Sequence, residues 1–437
     1  MWGSNYFDKG SIACVDLGRG GVDLKFRERR SLTKGGDEGR ESLMGAGSRN
    51  KVEPWRREDL PSLLILHGTF ALTGVGVILL GSLLPVLAVR WDIRDAHSGV
   101  FFAAQFSGSA VGSLLTMGRY RLVLMIGLAL VGLAAALLPM AGATGALGLF
   151  FLLGLGLGSS MTATNLLVGE RFRERRGAAL SLLNFSWGVG AAVGPLAVAR
   201  VLSLHTGLAD GYELVFWGMA VCCGVALTAV FAGVSGVSSI ARENDGHGRR
   251  SLGLVVFFAA LAFLYVGIET TMGGWISAYS SRMPGVDLAR AAAMGSFFWM
   301  ALLGGRALGA FVLLRAPEKR IYPLAVVIAL AGIAVIAGAH TLVGIAVGSC
   351  VVGVALGPVF PMNLALYLER AGTFSMAGTV LALSGFGGSV LPWLTGVVSS
   401  ESGSLRSGFW VPAGAGLLIL VMLVGLRVFD VRVRRAD

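Results

Sequence analysis

A single carboxyl group, Glu269, lies inside a long apolar stretch of the sequence, within FLYVGIETTMGGWISAYSSRM at residues 263–283. The other Asp and Glu residues lie in tails, in polar connections or at the edges of apolar stretches. A charge at membrane depth costs several kcal/mol, so such a group faces a cavity or a partner and usually marks a transport path. Glu269 can accept hydrogen bonds from a solute, carry a proton, or remain neutral and bond a neighbouring helix. We favour the two functional roles over the structural one.

Amide and indole side chains in other apolar stretches form a second group of candidates. Amides both donate and accept hydrogen bonds, which suits a solute made of hydroxyl groups, and an indole offers a flat face to a sugar ring. The alternative is that each amide bonds between helices, at about 0.6 kcal/mol, and that each indole is a packing residue. The predicted solute-binding residues are Gln105, Asn165, Asn184, Trp187, Glu269, Trp275, Asn363 and Trp393.

Two arginines are predicted to belong to a gate, and one Gly-Pro pair is predicted to be a helix-packing position. Arg306, with Arg119, is expected to belong to an inner gate, bonding helix carbonyls or an acid such as Glu170 or Glu369. A second element, the pair Gly194 and Pro195, is interpreted as a close-packing or hinge position.

No signature of a soluble enzyme is present in the sequence. There is no phosphate-binding loop and no Cys/His cluster, and the glycine run at Gly154 lies in an apolar stretch, where helix packing explains it. We therefore expect neither an enzyme, nor a cofactor, nor a metal site.

The composition identifies the elements that must position these side chains. Of 437 residues, 55% are hydrophobic and only 14% are charged, against about 25% charged in soluble domains. The 65 glycines suit close helix contacts in lipid. A net charge of +11 would suggest nucleic acid in a soluble chain. Here the arginines cluster between apolar stretches, so we expect a polytopic helical membrane protein without a nucleic-acid partner.

The apolar stretches predict twelve membrane-spanning helices, since about 20 apolar residues cross a bilayer. The predicted spans are 62–88, 97–116, 121–139, 144–168, 177–201, 213–234, 251–280, 288–314, 321–338, 341–368, 374–398 and 406–427. The connection 235–250 is the longest, and it separates a six-helix half at 62–234 from a second at 251–427. The ends, 1–58 and 428–437, are predicted to be cytoplasmic tails, the first of them disordered.

The two halves also resemble each other in sequence. The fifth span contains Gly190 and Pro195, five positions apart, and the eleventh span contains Gly387 and Pro392 with the same spacing. The fourth span, with GLGLGSSMTATN, and the tenth, with GVALGPVFPMN, each carry an Asn soon after a glycine. Each similarity alone is compatible with chance, but together with the six-plus-six arrangement they favour duplication and a solute site between the halves.

Basic residues predict the orientation. With both termini inside, the Arg and Lys clusters, including that from Arg171 to Arg176, all lie on the cytoplasmic side. We expect a monomer in the bilayer of a bacterial inner membrane. Met44 is a candidate start of the natural chain, so residues 1–43 are of uncertain status.

With these patterns the chain resembles the major facilitator superfamily and, within it, the fucose–galactose–glucose:proton symporter family. The stretches that carry the resemblance are GSLLPVLAVRWDI, SGVFFAAQFSGSAVGSLL, RRGAALSLLNFSWGVGAAVGPL, YVGIETTMGGWISAY, PVFPMN and LALSGFGGSVLPWLTG. The resemblance implies two pseudo-symmetric six-helix bundles that rock about a central site, in an all-α membrane protein.

Two departures from the family pattern concern its acids. The superfamily motif Gly-x-x-x-Asp-Arg-x-Gly-Arg-Arg lacks its acid in GSLLTMGRYR at 112–121. Fucose-type members carry an acid just before a Thr-Ala-x-Asn stretch, whereas Met161 precedes the matching residues 162–165 here. A proton mechanism therefore cannot be transferred on those residues, which leaves Glu269 as the proton-coupling candidate and leaves a uniporter open.

The function that we expect is secondary active or facilitated transport of a small polar solute of the monosaccharide class. The first alternative is proton-driven efflux of amphipathic compounds, which predicts a cavity with a mainly apolar lining. The second is a sensor or scaffold without transport, which predicts an appended soluble domain.

Overall fold

The fold is described from a computed structural model, which covers residues 11–18, 21–28, 60–172, 176–204, 211–235, 252–371 and 377–436. The predicted central connection and most of the predicted tails lie outside this described part of the chain.

The N-terminal unit contains two antiparallel strands, β1 (Ser11–Gly18) and β2 (Gly21–Glu28). Ser11 is opposite Glu28 and Gly18 is opposite Gly21. Both strands lie within residues 1–58, for which the disordered cytoplasmic tail stays a prediction. The apolar residues of VDLKF alternate with polar ones, as the two-residue period of a strand requires.

The second unit is helical, and its helices occupy the twelve predicted spans. The first six spans are α1 (Leu60–Trp91), α2 (Asp95–Leu114), α3 (Tyr120–Leu137), α4 (Ala143–Arg171), α5 (Arg176–Ser203) and α6 (Tyr212–Gly233). The other six comprise α7 (Leu252–Ser280), α8 (Leu288–Leu313), α9 (Glu318–Gly338), α10 (Leu342–Leu356), α11 (Val359–Ala371), α12 (Ala377–Ser402), α13 (Leu405–Gly408) and α14 (Trp410–Ala436). The predicted all-α membrane fold is thereby confirmed for this unit.

The tenth and twelfth spans are each divided into two helices. The tenth breaks between α10 and α11 at Gly357 and Pro358, where a proline removes a helical hydrogen bond. The twelfth begins with the short helix α13 before α14.

Ten spans in the described chain are long and apolar enough to cross a membrane. The helices outside that set, α2 and α12, carry more polar side chains, such as Gln105 in α2 and Ser389 in α12. These two helices pack against each other, and Ser107 donates a hydrogen bond to Ser389 at 3.1 Å between the hydroxyl oxygens. The lower apolar content of both helices is therefore explained by their place in the interior of the bundle.

The two halves meet through three helix pairs, α1 with α7, α2 with α12, and α5 with α8. The first pair approaches at two glycines, since a Cβ atom on Gly81 would lie 2.8 Å from the Cα of Gly274. Such an approach requires glycine on α1, as is usual at close helix contacts in membranes.

Equivalent glycines occupy equivalent positions in the two halves. A Cβ on Gly190 of α5 would lie 1.9 Å from the carbonyl oxygen of Ala71 on α1, and a Cβ on Gly387 of α12 would lie 1.9 Å from that of Phe263 on α7. The fifth and eleventh spans thus pack in the same way on the first and seventh. The Gly-x4-Pro similarity between the halves therefore corresponds to a repeated helix contact.

Candidate functional site

The carboxylate of Glu269 lies between two polar partners on α7 and α8. The Nη2 atom of Arg306 on α8 lies 3.8 Å from its Oε2 atom, and the hydroxyl of Tyr265 donates a hydrogen bond to the same oxygen. Tyr265 is on the same face of α7 as Glu269, because residues four apart in a helix are neighbours. Glu269 is therefore one member of an ion pair rather than an isolated acid.

Arg306 also reaches the N-terminal half of the molecule. Its guanidinium carbon lies 6.0 Å from the ring centroid of Trp187 on α5, a cation–π distance. The ring of Trp187 in turn meets the ring of Trp299 on α8 edge-on, with 5.7 Å between the centroids. We name Tyr265, Glu269, Trp299 and Arg306, together with Trp187, the Glu269–Arg306 cluster.

A glycine on α7 makes room for this cluster. A Cβ on Gly273 would lie 2.4 Å from the Cζ2 atom of Trp299. Gly273 is one turn from Glu269 on the same face of α7, so the indole ring lies directly beside the ion pair along the helix. The Gly-Gly sequence at 273–274 therefore serves two contacts, with α8 and with α1.

The ion pair is partly open to its surroundings. The side chain of Glu269 is 12% exposed and that of Arg306 is 27% exposed. The Arg306 guanidinium lies over Trp187, at the boundary between the two halves. An acid and a base at this boundary can bind a solute with polar groups and can change charge when a proton binds.

Two predicted solute-binding amides bond between helices. Gln105 is 1% exposed, and its Nε2 donates to the carbonyl oxygen of Val77 on α1 at 3.0 Å. Asn363 is 3% exposed, and its Nδ2 donates to the carbonyl oxygen of Phe258 on α7 at 3.3 Å. Both side-chain oxygens are buried without a hydrogen-bond partner among the described residues. In each amide, the nitrogen therefore bonds a neighbouring helix, and the oxygen remains as an acceptor without a partner among the described residues.

The other two predicted amides bond to their own helices. Asn165 donates to the carbonyl oxygen of Met161 at 2.9 Å, and Asn184 donates to that of Leu180 at 2.8 Å. Asn184 is exposed and lies one turn from Trp187 and Gly188 on α5. Since Gly188 faces Leu303 of α8, Asn184 lies close to the same boundary as the cluster.

The predicted tryptophans divide into different environments. Trp187 belongs to the cluster. Trp275 is fully buried, its Nε1 donates to the carbonyl oxygen of Pro392 at 3.1 Å, and its ring packs on Phe102. The solute contact predicted for Trp275 does not fit this position, which is a packing contact between α7 and α12. Trp393 is 40% exposed, and its backbone lies against Gly99 of α2.

Arg306 pairs with an acid other than the two named as expected partners. Its partner is Glu269, whereas Glu369 lies 3.7 Å from Lys319 and 3.6 Å from its neighbour Arg370. The gate role expected for Arg119 stays a prediction; this side chain is exposed just before α3. These partners depend on how helices from different parts of the chain meet, which a span-by-span interpretation does not give.

The gate residues of α5 are in close contacts. A Cβ on Gly194 would lie 2.5 Å from the Cδ1 atom of Ile78 on α1, and Pro195 lies against Gly295 of α8. These positions are compatible with the predicted close-packing element.

Sequence reasoning missed a second polar cluster, which we name the outer tie. Asp95, in the first turn of α2, accepts from Arg282, which follows α7, and from the hydroxyl of Ser399 on α12. The backbone N–H of Ala96 donates to the hydroxyl of Ser400 at 2.8 Å. The available signal was that Asp95 and Arg282 both lie in connections on the predicted outer side. The outer tie joins the two halves at that end.

Within the described residues, no group of three or more His, Cys, Asp or Glu side chains could hold a metal ion.

Comparison with known proteins gives the family context. The family model described as "Major Facilitator Superfamily" matches residues 66–389. A protein named "Protein TsgA homolog" from Erwinia tasmaniensis is 24% identical over 277 residues, which is 59% of this chain and 67% of that protein.

Two solved structures are similar in fold. The crystal structure of the nucleoside transporter NupG has a TM-score of 0.70 at 12% identity, with 84% of this chain and 99% of that chain covered. The Escherichia coli fucose:proton symporter FucP has a TM-score of 0.56 at 18% identity, with 84% of this chain and 98% of that chain covered. At these identities the likeness concerns the fold alone.

Proposed function

The chain belongs to the major facilitator superfamily and is a membrane transporter, and on that premise we propose that it moves a small polar solute, of the monosaccharide class, with proton coupling through Glu269. The observation that carries the proposal is the position of the Glu269–Arg306 pair at the boundary between the halves. In this fold the solute site lies at that boundary.

The chemistry of the cluster supports a polar solute. A carboxylate and a guanidinium together offer acceptors and donors to hydroxyl groups, and the indole rings of Trp187 and Trp299 offer apolar faces beside them. The fucose:proton symporter with the same fold has a solute and a coupling ion of these classes. An efflux pump for amphipathic compounds is disfavoured, because it predicts a mainly apolar lining, whereas an acid and an arginine lie at this boundary.

The contacts of the two ends support alternating access. At the predicted outer end the halves are joined by the outer tie and by the Gly81–Gly274 approach. Toward the predicted inner end, polar contacts join helices within a half, such as that between Arg171 and the hydroxyl of Ser62 at 2.6 Å. The proposed transport cycle opens the halves toward the inner side in this conformation and breaks the outer tie in the opposite one.

The test is uptake of radiolabelled sugars and sugar derivatives into proteoliposomes, with and without an inwardly directed proton gradient. We expect the gradient to drive accumulation of at least one compound by the wild type. Glu269→Gln should remove the gradient-driven part while exchange of labelled for unlabelled solute remains. The matched control is Glu401→Gln, at an exposed acid near the end of α12, which should behave as the wild type. Gradient-independent wild-type uptake would identify a uniporter and would refute the coupling role.

A further inference from the structure

We infer that the solute carries a carboxylate group that binds Arg306 when Glu269 takes up a proton, which makes it a sugar acid or a similar hydroxylated monocarboxylate. This inference rests on the proposed function and names the solute class at the same site. It follows from the charges around the pair, the geometry of the pair and the aromatic rings beside it.

The first step is the charge balance around Glu269 in the described residues. Its titratable and charged neighbours are Tyr265 on its own helix and Arg306 on α8. On the other helices packed there, α5 has no charged residue between Arg176 and Arg200, and the described part of α12 has none before Glu401. When Glu269 is ionised, the pair therefore has no net charge, because it contains one negative and one positive group.

The remaining contacts do not change this balance. The helix α10 has no charged residue, and α11 presents the ring of Phe360 to the ring of Tyr265, with 5.6 Å between centroids. The charged residues of α11, Glu369 and Arg370, lie at its end, where Glu369 also pairs with Lys319. On α1, the contact with α7 is made by Gly81.

The second step is the change that a proton makes. When a proton binds to Glu269, its carboxylate becomes neutral, whereas Arg306 remains a cation because a guanidinium does not lose its proton in proteins. An unpaired charge in the membrane interior is unfavourable. A carboxylate from the solute restores the balance, so the proton and the anion favour each other's binding by the same factor.

The third step is the room that Arg306 has for a second carboxylate. Its contact with Glu269 is long, at 3.8 Å, and involves one oxygen. A guanidinium has five N–H donors in a planar fork and binds carboxylates best through two parallel hydrogen bonds. The side chain of Arg306 is 27% exposed and also contacts the hydroxyl of Tyr265. The donors that these two partners leave can bind a solute carboxylate.

The last step is the rest of the solute. Trp187 and Trp299 meet edge-on beside the guanidinium and are buried in this conformation. A compact ring or chain with C–H groups can therefore lie against an indole face, with its carboxylate on Arg306, only when α5 and α8 separate there. Hydroxyl groups then find the exposed amide of Asn184, one turn away. This combination favours a sugar acid over a simple fatty acid.

The inference has an electrical consequence that a neutral sugar does not share. One proton and one monocarboxylate carry no net charge together, so their uptake depends on the pH gradient and not on the membrane potential. A proton with a neutral sugar moves one positive charge, so its uptake depends on both.

The experiment compares acids with their neutral parents in proteoliposomes of the full chain. The probes are the labelled acids D-glucuronate, D-galacturonate and D-gluconate, and the labelled neutral sugars D-glucose and D-galactose. Each acid differs from its parent sugar at one carbon. We expect an inward proton gradient to drive at least tenfold accumulation of one of the acids. Clamping the membrane potential at zero or at a negative value with potassium and valinomycin should leave that accumulation unchanged.

The alternative outcomes separate the two proposals. Accumulation of a neutral sugar only, or accumulation of an acid that rises with negative potential, would overturn this inference and leave the proposed transporter function standing. If the gradient drives accumulation of neither the acids nor the neutral sugars, both proposals are contradicted.

Binding to purified variants gives an independent readout that a merely structural role would not change. For the accumulated acid, wild-type affinity should fall as the pH rises, because deprotonated Glu269 competes for Arg306. The affinity of Glu269→Gln should not change with pH, and Arg306→Gln should lose binding while Arg306→Lys keeps part of it. A Glu269→Gln variant with the wild-type pH dependence would contradict the inference. If Glu269→Gln does not fold, a measurement on the wild type alone tests the inference. Binding of the acid to the wild type without uptake of a proton from a weakly buffered solution would also contradict the inference.

Discussion

The outer tie and the Glu269–Arg306 cluster are both built on an acid and an arginine, but they connect the halves differently. In the outer tie the acid belongs to the N-terminal half and the arginine to the C-terminal half, so the ion pair itself joins the halves. In the cluster both charged groups belong to the C-terminal half, and the halves meet only through the face of Trp187 and the edge of its ring.

The two regions therefore have different roles in the proposed transport cycle. The outer tie closes one end of the bundle, and the Glu269–Arg306 cluster binds the solute. The outer tie breaks only when the halves move apart at that end, so it affects the balance between conformations. The cluster can change its charge while the halves stay in place, and its contact across the boundary is aromatic rather than an ion pair between the halves. Each of the following changes disturbs one of the two regions.

The largest effect is expected from Arg306→Gln. It leaves the Glu269 carboxylate in the membrane interior without its cation, and breaking a buried pair typically costs about 3–5 kcal/mol. We expect gradient-driven uptake to fall at least about 100-fold, a figure that corresponds to about 3 kcal/mol. Initial uptake rates in proteoliposomes measure this. Arg315→Gln, an exposed arginine just beyond α8, is the control and should keep the wild-type rate.

The next largest effect is expected from Gly81→Ala, which disturbs the close approach of α1 and α7 at the predicted outer end. The added Cβ would lie 2.8 Å from the Cα of Gly274, so α1 and α7 must separate there. We expect the outward-open conformation to gain population, measured as a several-fold faster reaction of a cysteine introduced in place of Ser280, which is buried at the end of α7, with a maleimide added from outside. The control is Gly68→Ala on α1, where an added Cβ would have open space around it. An equal increase of the maleimide reaction rate in Gly68→Ala would contradict a specific role for the approach of Gly81 to Gly274.

Asp95→Asn should have a smaller effect in the same direction. Arg282 is 43% exposed, and exposed ion pairs contribute about 1 kcal/mol or less. We therefore expect at most a few-fold change in the outward-open population, by the same cysteine reaction. Exchanging the charges, with Asp95→Arg and Arg282→Asp together, should recover part of the effect. A double variant that is worse than the sum of the single ones would show that the pair does not act as a tie.

The smallest effect is expected from Trp187→Phe. It retains an aromatic face beside Arg306 but weakens the cation–π contact, which contributes about 0.5–2 kcal/mol. We expect a two- to fivefold increase in the solute concentration for half-maximal uptake, with little change in the maximal rate. Trp217→Phe, an exposed position on α6, should leave both quantities unchanged.

The sequence was sufficient to predict the helices and to single out Glu269, because hydropathy and the scarcity of buried charge are local properties. It also indicated the repeat, since Gly190 and Gly387 must both be glycine for the same reason of close approach. The partner of Glu269 was not predictable, because the meeting of α7, α8 and α5 depends on bundle geometry. In the sequence, Trp275 and Trp187 are both tryptophans within apolar spans. Only the neighbours that each one meets in the bundle show that Trp275 is a packing residue and that Trp187 lies at the boundary between the halves.

The central claim is that the Glu269 carboxyl group exchanges a proton in response to the solute. Infrared difference spectroscopy of the purified protein, with and without the compound that the wild type accumulates, observes the carbonyl band of a protonated carboxyl group directly. The account predicts that this band appears on solute binding near neutral pH and is missing in Glu269→Gln. A spectrum in which no carboxyl band changes, or in which the same band persists in Glu269→Gln, would contradict it.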